Sequence, residues 1–177
     1  MCAATSFRIN RAPVLTLWAT IVAERLGFDH DEALTLGRAV AGLNAQSKGR
    51  RLGIFKPSTE SLEDKRKERP EGEFHVELLH RAVPVVMTAE GIRATTKGTP
   101  TKPASVEKYL ASKFGEHLQA TEKAMAELAK SLSTDDLADN AYKLYEIFRP
   151  AIPEGVQGWG AAGVLDLGSI RNAGEST

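Results

Sequence analysis

The apolar positions fall into blocks separated by polar stretches, and the blocks differ in period. Leu15, Trp18, Val22 and Leu26 recur at spacings of three and four, with Val14, Leu17 and Ile21 beside them. So broad a stripe predicts a helix buried on more than one side. Pro13 suits its first turn, where a missing N–H costs nothing, and Gly27 suits its left-handed end. After a turn at residues 28–31, a second helix is expected from about residue 32 to 47. Asp29 or Asp31 can cap it, and Glu32 adds negative charge at its positive end. In this helix Ala33, Gly37, Ala41 and Ala45 fall four apart and form a ridge of small residues, with Leu36, Val40 and Leu43 on the adjacent face. Small residues at that spacing admit a second backbone, so the two helices should pack tightly.

The period then disappears. Residues 57–73 hold one large apolar residue, Leu62, among six acids and four bases. That composition cannot bury itself and predicts an exposed linker or loop. Beyond it, Phe74, Val76 and Leu78 alternate with Glu73, His75 and Glu77, which favours a half-buried strand. Phe74, Leu78 and Leu79 also suit a helical face, so both forms stay open there. Residues 82–88 are β-branched, and Pro84 points to an edge strand. Glu90 and Gly91 make a tight turn into residues 92–96, completing a small β-hairpin.

After a break at residues 98–103, Ser105 can cap a long helix reaching about residue 132. Gly115 inside it costs about 1 kcal/mol relative to alanine and predicts a kink or a close contact. Ser133 and Asp136 approximate a capping box for a further helix. Leu137, Ala141, Leu144, Tyr145 and Phe148 line one side of that helix, and Pro150 stops it. The glycine-rich tail carries Trp159, Val164, Leu165 and Leu167, which should strap over a core. Residues 1–12 read as a short polar arm. The expected fold is mainly α with a small β-hairpin: an N-terminal helical pair, the hairpin, a long C-terminal helix with a second helix, and a packed tail. The expected division is 1–56, 57–73 and 74–177, with both halves small enough to share one compact domain.

Composition narrows the functional classes. The 177 residues are 42% apolar and 26% charged, the ordinary globular mixture. With 23 bases and 23 acids the net charge is zero, which argues against coating nucleic acid by charge alone. Cys2 is the only cysteine, so no internal disulfide forms, as suits a reducing compartment. No 18-residue apolar run and no leader pattern are present, so the expectation is a cytoplasmic protein without a membrane span.

Charge placement supplies the main functional hint. Between Ala33 and Thr59 there are five bases (Arg38, Lys48, Arg50, Arg51, Lys56) and no acid. Residues 1–60 carry a balance of +3, residues 61–103 of +1, and the remainder −4. Asn44 and Gln46 beside the bases are residue types that pair with adenine edges, while Lys and Arg hold guanine or phosphate. Helix, short turn and helix give the outline of a helix-turn-helix, with Arg93, Lys97 and Lys102 on the hairpin as a candidate wing. DNA is therefore the expected partner. The bland reading is that SKGRR sits where bases favour the negative end of a helix. The rival from another class is an interaction module, a homodimer formed through Ala33, Gly37 and Ala41, without nucleic acid or catalysis.

Other chemistry is thin. The four histidines form no HExxH, and only a helical reading of residues 73–80 would gather Glu73, Glu77 and His80 as metal ligands. No GxSxG surrounds a serine, Gly49 and Gly53 lack the ending of a P-loop, and GWGAAG lacks its strand and helix. Trp159 between Gly158 and Gly160 reads as a core plug more readily than as a ligand platform. No catalytic residue, metal or cofactor is expected.

Overall fold

The computed structural model describes residues 6–51, 74–79, 81–96, 99–150 and 162–173, with backbone alone at 44–51, 96 and 162. Helix α1 (Arg11–Arg25) is the hub. Residues 13–20, 22 and 23 are all buried, as the broad apolar stripe predicts. Around it pack α2 (His30–Arg51), α3 (Pro103–Phe114), α4 (Leu118–Lys130) and α5 (Thr134–Phe148). Trp18 is fully buried, sends its indole N–H to the Ala141 carbonyl at 2.9 Å, and meets Phe148 edge-on at 5.3 Å. A buried indole needs such an acceptor, and this one joins the first helix to α5, more than 120 residues later.

The local signals at the helix ends behave as expected except at Ser105, which does not cap α3: that helix starts at Pro103 after Lys102, and the Ser105 hydroxyl donates to the Lys102 carbonyl at 2.7 Å. Gly27 has φ +114° and closes α1. Asp29 and Glu32 form a reciprocal capping box on α2: Asp29 Oδ1 accepts from the Glu32 N–H at 2.8 Å, and Glu32 Oε1 accepts from the Asp29 N–H at 3.1 Å. Ser133 accepts from the Asp136 N–H at 3.2 Å and starts α5. At Gly115 (φ +55°) the long C-terminal helix breaks into α3 and α4 through a 3₁₀ turn, Gly115–His117.

The β structure is larger than a hairpin. Strands β2 (Phe74–Leu78), β3 (Arg81–Thr88), β4 (Gly91–Thr96) and β5 (Thr99–Pro100) form an antiparallel sheet in that order. Residues 74–78 are thus strand, and the alternation outweighs the competing helical pattern. Pro84 does not mark an edge, because β3 lies between β2 and β4. Pro84 faces His75 of β2, while the ladder to β4 ends at Val85 opposite Ala94. The missing N–H falls where that ladder stops, and the Pro84 carbonyl takes the Thr95 hydroxyl at 3.4 Å instead.

The expected N-terminal arm is a strand from residue 6. β1 (Ser6–Asn10) pairs antiparallel with β6 (Ala162–Asp166), placing Phe7 opposite Leu165 and Ile9 opposite Gly163. Ile9 is buried, and Phe7 stacks on His117 at 4.2 Å. The partner strand is over 150 residues away, so no local pattern could announce the pairing. Helix α6 (Leu167–Ala173) follows and packs on α4 and α5, so within residues 162–173 the tail straps the core through Leu165 and Leu167, while Val164 is exposed. One buried cluster draws on both sides of residues 57–73, from Val14 and Leu36 to Val85, Leu144 and Ile170.

Candidate nucleic-acid interface

Helix α2 carries most of the expected site, and its two halves have different surroundings. In the first half, Ala33, Leu34, Thr35, Leu36, Gly37, Val40 and Ala41 are buried between α1, α3 and the sheet. Its opening turn is acidic, with Asp31 and Glu32. Glu32 Oε2 accepts from the Ile92 N–H at 2.8 Å, and the Thr35 hydroxyl accepts from the Ala94 N–H at 3.1 Å. Ala94 sends its carbonyl to the Thr101 N–H at 2.8 Å, so these groups lie on the side of β4 away from β3. Side chains of α2 therefore complete the β4 edge where short β5 does not reach.

The small-residue ridge is occupied within the chain. A Cβ on Gly37 would fall against the Thr20 hydroxyl, 2.5 Å from the Thr16 carbonyl oxygen and 2.9 Å from the Thr20 nitrogen. Ala33 and Ala41 are buried as well. The tight contact expected from this spacing is the one between α1 and α2. A second copy could reach Gly37 only by displacing α1, and Ala33 and Ala41 only by displacing what buries them within the chain.

The basic residues separate differently. Arg38 is exposed, with its guanidinium carbon 4.4 Å from the centre of the Tyr109 ring on α3. This cation–π contact steadies the side chain while leaving it accessible. Burial pushes the Tyr109 hydroxyl above the usual phenol range, and Arg38 opposes that shift. The α2 backbone continues unbroken to Arg51, so Asn44, Gln46, Lys48, Arg50 and Arg51 lie on the same helix as Arg38; their side chains fall outside the described residues. Lys56 also lies outside them, as do Lys97, Glu73, His80 and Trp159 with its glycines.

No family model, curated protein or solved structure matches the chain.

The candidate wing loses one member. Arg93 is 5% exposed, donates to the Ile92 carbonyl at 2.8 Å and lies 4.0 Å from Asp31. It holds β4 against the start of α2 and is not presented to a phosphate. Lys102, at the start of α3, is exposed. Sequence reasoning had no signal for the burial of Arg93, because an arginine in a strand usually faces water.

Elsewhere a hollow of about 260 Å³ lies among Val22, Leu26, Leu78 and Leu79, with Glu77 and Asp139 also lining it. Its lining holds no nucleophile paired with a base. Among the described residues no group of three or more His, Cys, Asp or Glu is placed to hold a metal. No helix among them is long and apolar enough to cross a membrane.

Proposed function

We propose that the chain is a nucleic-acid-binding, regulatory protein whose contact element is the C-terminal half of α2. Charge placement carries the reading: five bases and no acid lie between Ala33 and Thr59, and four of the five ride on one continuous helix. Arg38, Lys48, Arg50, Arg51 and Lys56 hold phosphates in this account, while Asn44 and Gln46 approach base edges. The helix-turn-helix outline supports it, with α1 and α2 joined by the four residues 26–29. Apart from the exposed Arg38, the first half of α2 makes no contact with DNA in this account, because it is largely packed inside the molecule and opens on Asp31 and Glu32. That differs from the usual docking, in which the first residues of the second helix reach the bases. A single cysteine suits action in a reducing compartment, the cytoplasm.

Fluorescence anisotropy of random-sequence duplex DNA, titrated at several salt concentrations, tests the reading. Binding should weaken steeply as salt rises, since each neutralised phosphate releases counterions. Replacing Lys48, Arg50 and Arg51 together by Gln removes three such contacts. The slope of log K against log salt should then become shallower by roughly 3. No binding at low salt, or an unchanged slope and affinity in the triple variant, rejects the proposal.

A further inference from the structure

At the junction of α1, α2, α3 and α4, both ring nitrogens of His30 meet carboxylates from other helices. Nδ1 lies 3.2 Å from Glu24 Oε1 at the end of α1, and Nε2 lies 3.2 Å from Glu107 Oε1 on α3. A carboxylate only accepts hydrogen bonds, and a neutral imidazole has one N–H to donate. Both contacts are therefore satisfied only by the imidazolium, in which each nitrogen carries a proton. A neutral ring keeps one bond and turns a lone pair toward the other carboxylate.

The surroundings sharpen the effect. Glu122 on α4 is close enough to feel both His30 and Glu24; burial holds its carboxyl above the ordinary range, Glu24 adds to that, and His30 opposes it. One cation thus touches Glu24 and Glu107 and acts electrostatically on Glu122 of a third helix, with Asp29 and Asp31 flanking it on its own segment. When the ring loses its charge, Glu24 and Glu122 keep their mutual repulsion without the cation that offset it.

We propose that His30 is a proton-gated clasp: as the imidazolium it ties the start of α2 to α1 and α3, and loss of one ring proton releases α3. Burial by itself lowers the histidine's affinity for that proton, but the hydrogen bonds and charges of Glu24 and Glu107 outweigh it and raise the pKa above 6.5. The sign follows from linkage. A group that binds its proton more tightly when folded contributes stability that is full below 6.5 and disappears as pH rises through the folded value. His30, Glu24 and Glu107 are each about half exposed, so added salt should weaken the clasp.

The experiment is an NMR titration of the histidine ring signals in the full chain, with His30→Gln identifying the His30 resonance. Amide hydrogen exchange along α3, corrected for intrinsic pH dependence, is followed on the same samples. The His30 midpoint should lie above 6.5 in the native chain and fall toward it in Glu107→Gln. As pH rises through that midpoint, the opening constant of α3 should grow tenfold for each unit by which the native midpoint exceeds that of Glu107→Gln, in which Glu24 alone still holds the ring. That growth should be absent in His30→Gln. A His30 midpoint at or below 6.5, or the same pH response of α3 in His30→Gln, overturns the proposal. Should His30→Gln not fold, resonance assignment through Glu107→Gln and the native titration at low and high salt still decide it, since an unmoved midpoint in Glu107→Gln excludes the clasp.

Discussion

Gly37 shows how much one residue can decide. Its missing side chain lets the backbone of α2 approach Thr16 and Thr20 of α1, and two of the three atoms that a Cβ would meet are backbone. Backbone cannot swing aside as a flexible side chain would, so Gly37→Ala should push the helices apart. We expect a loss of about 1–3 kcal/mol in denaturant unfolding, the range for overpacking a tight core. An unchanged midpoint would mean that the α1–α2 contact is looser than the structure shows. The four-residue spacing of Ala33, Gly37 and Ala41 and a tight contact with the first helix were legible in the sequence, which also left a second copy open as the partner; the structure seats α1 against Gly37. Arg93 teaches the same lesson in reverse. Its strand context suggested a free cation, and only the placement of Asp31 and the Ile92 carbonyl shows it buried. Leu79 was illegible too. It turns between β2 and β3 at φ +51°, where a leucine is rare and glycine or asparagine would have been the recognisable signal.

At the scale of elements, helices were easier to read than strands. A helix records its ends in nearby residues, and the Asp29–Glu32 and Ser133–Asp136 pairs did so here. Glu32 then does something no helix rule includes, bonding the Ile92 N–H on the exposed side of β4. Replacing Glu32 with Ala should remove half of the capping box and a charge-assisted bond to the sheet together. Thermal or denaturant unfolding should register a loss of about 1–2 kcal/mol. A loss of a few tenths would reduce Glu32 to an ordinary surface acid. The misreading of Pro84 has a physical cause at this scale. A proline excludes one ladder bond on one side only, and β3 arranges for that side to be where its pairing with β4 has already ended.

For the whole molecule, the question was whether residues 57–73 separate two units. The buried cluster joins α1 and α2 to the sheet, to α3, α4 and α5, and to α6, with α1 touching most of the other helices. Among the described residues neither half has a core apart from this one, so the chain should unfold in a single cooperative step. Tryptophan fluorescence and far-ultraviolet circular dichroism should give the same denaturant midpoint. Two separated transitions would show that the halves hold together independently.

The sequence by itself determined α1, α2 and α5, the ends at Gly27, Asp29 and Ser133, the break at Gly115, the alternation that makes β2 a strand, and the acid-free basic run on and beyond α2. Each is written within a few residues of where it acts, because helix turns, caps and strand pleats are short-range geometry. Tertiary structure alone decided that residues 6–10 pair with 162–166, that β3 is an inner strand, that Arg93 is buried, that α1 and not a second copy covers Gly37, and that His30 faces Glu24 and Glu107. Those outcomes depend on partners brought together from distant parts of the chain. A local pattern says which face is apolar, and only the assembled core shows what covers it.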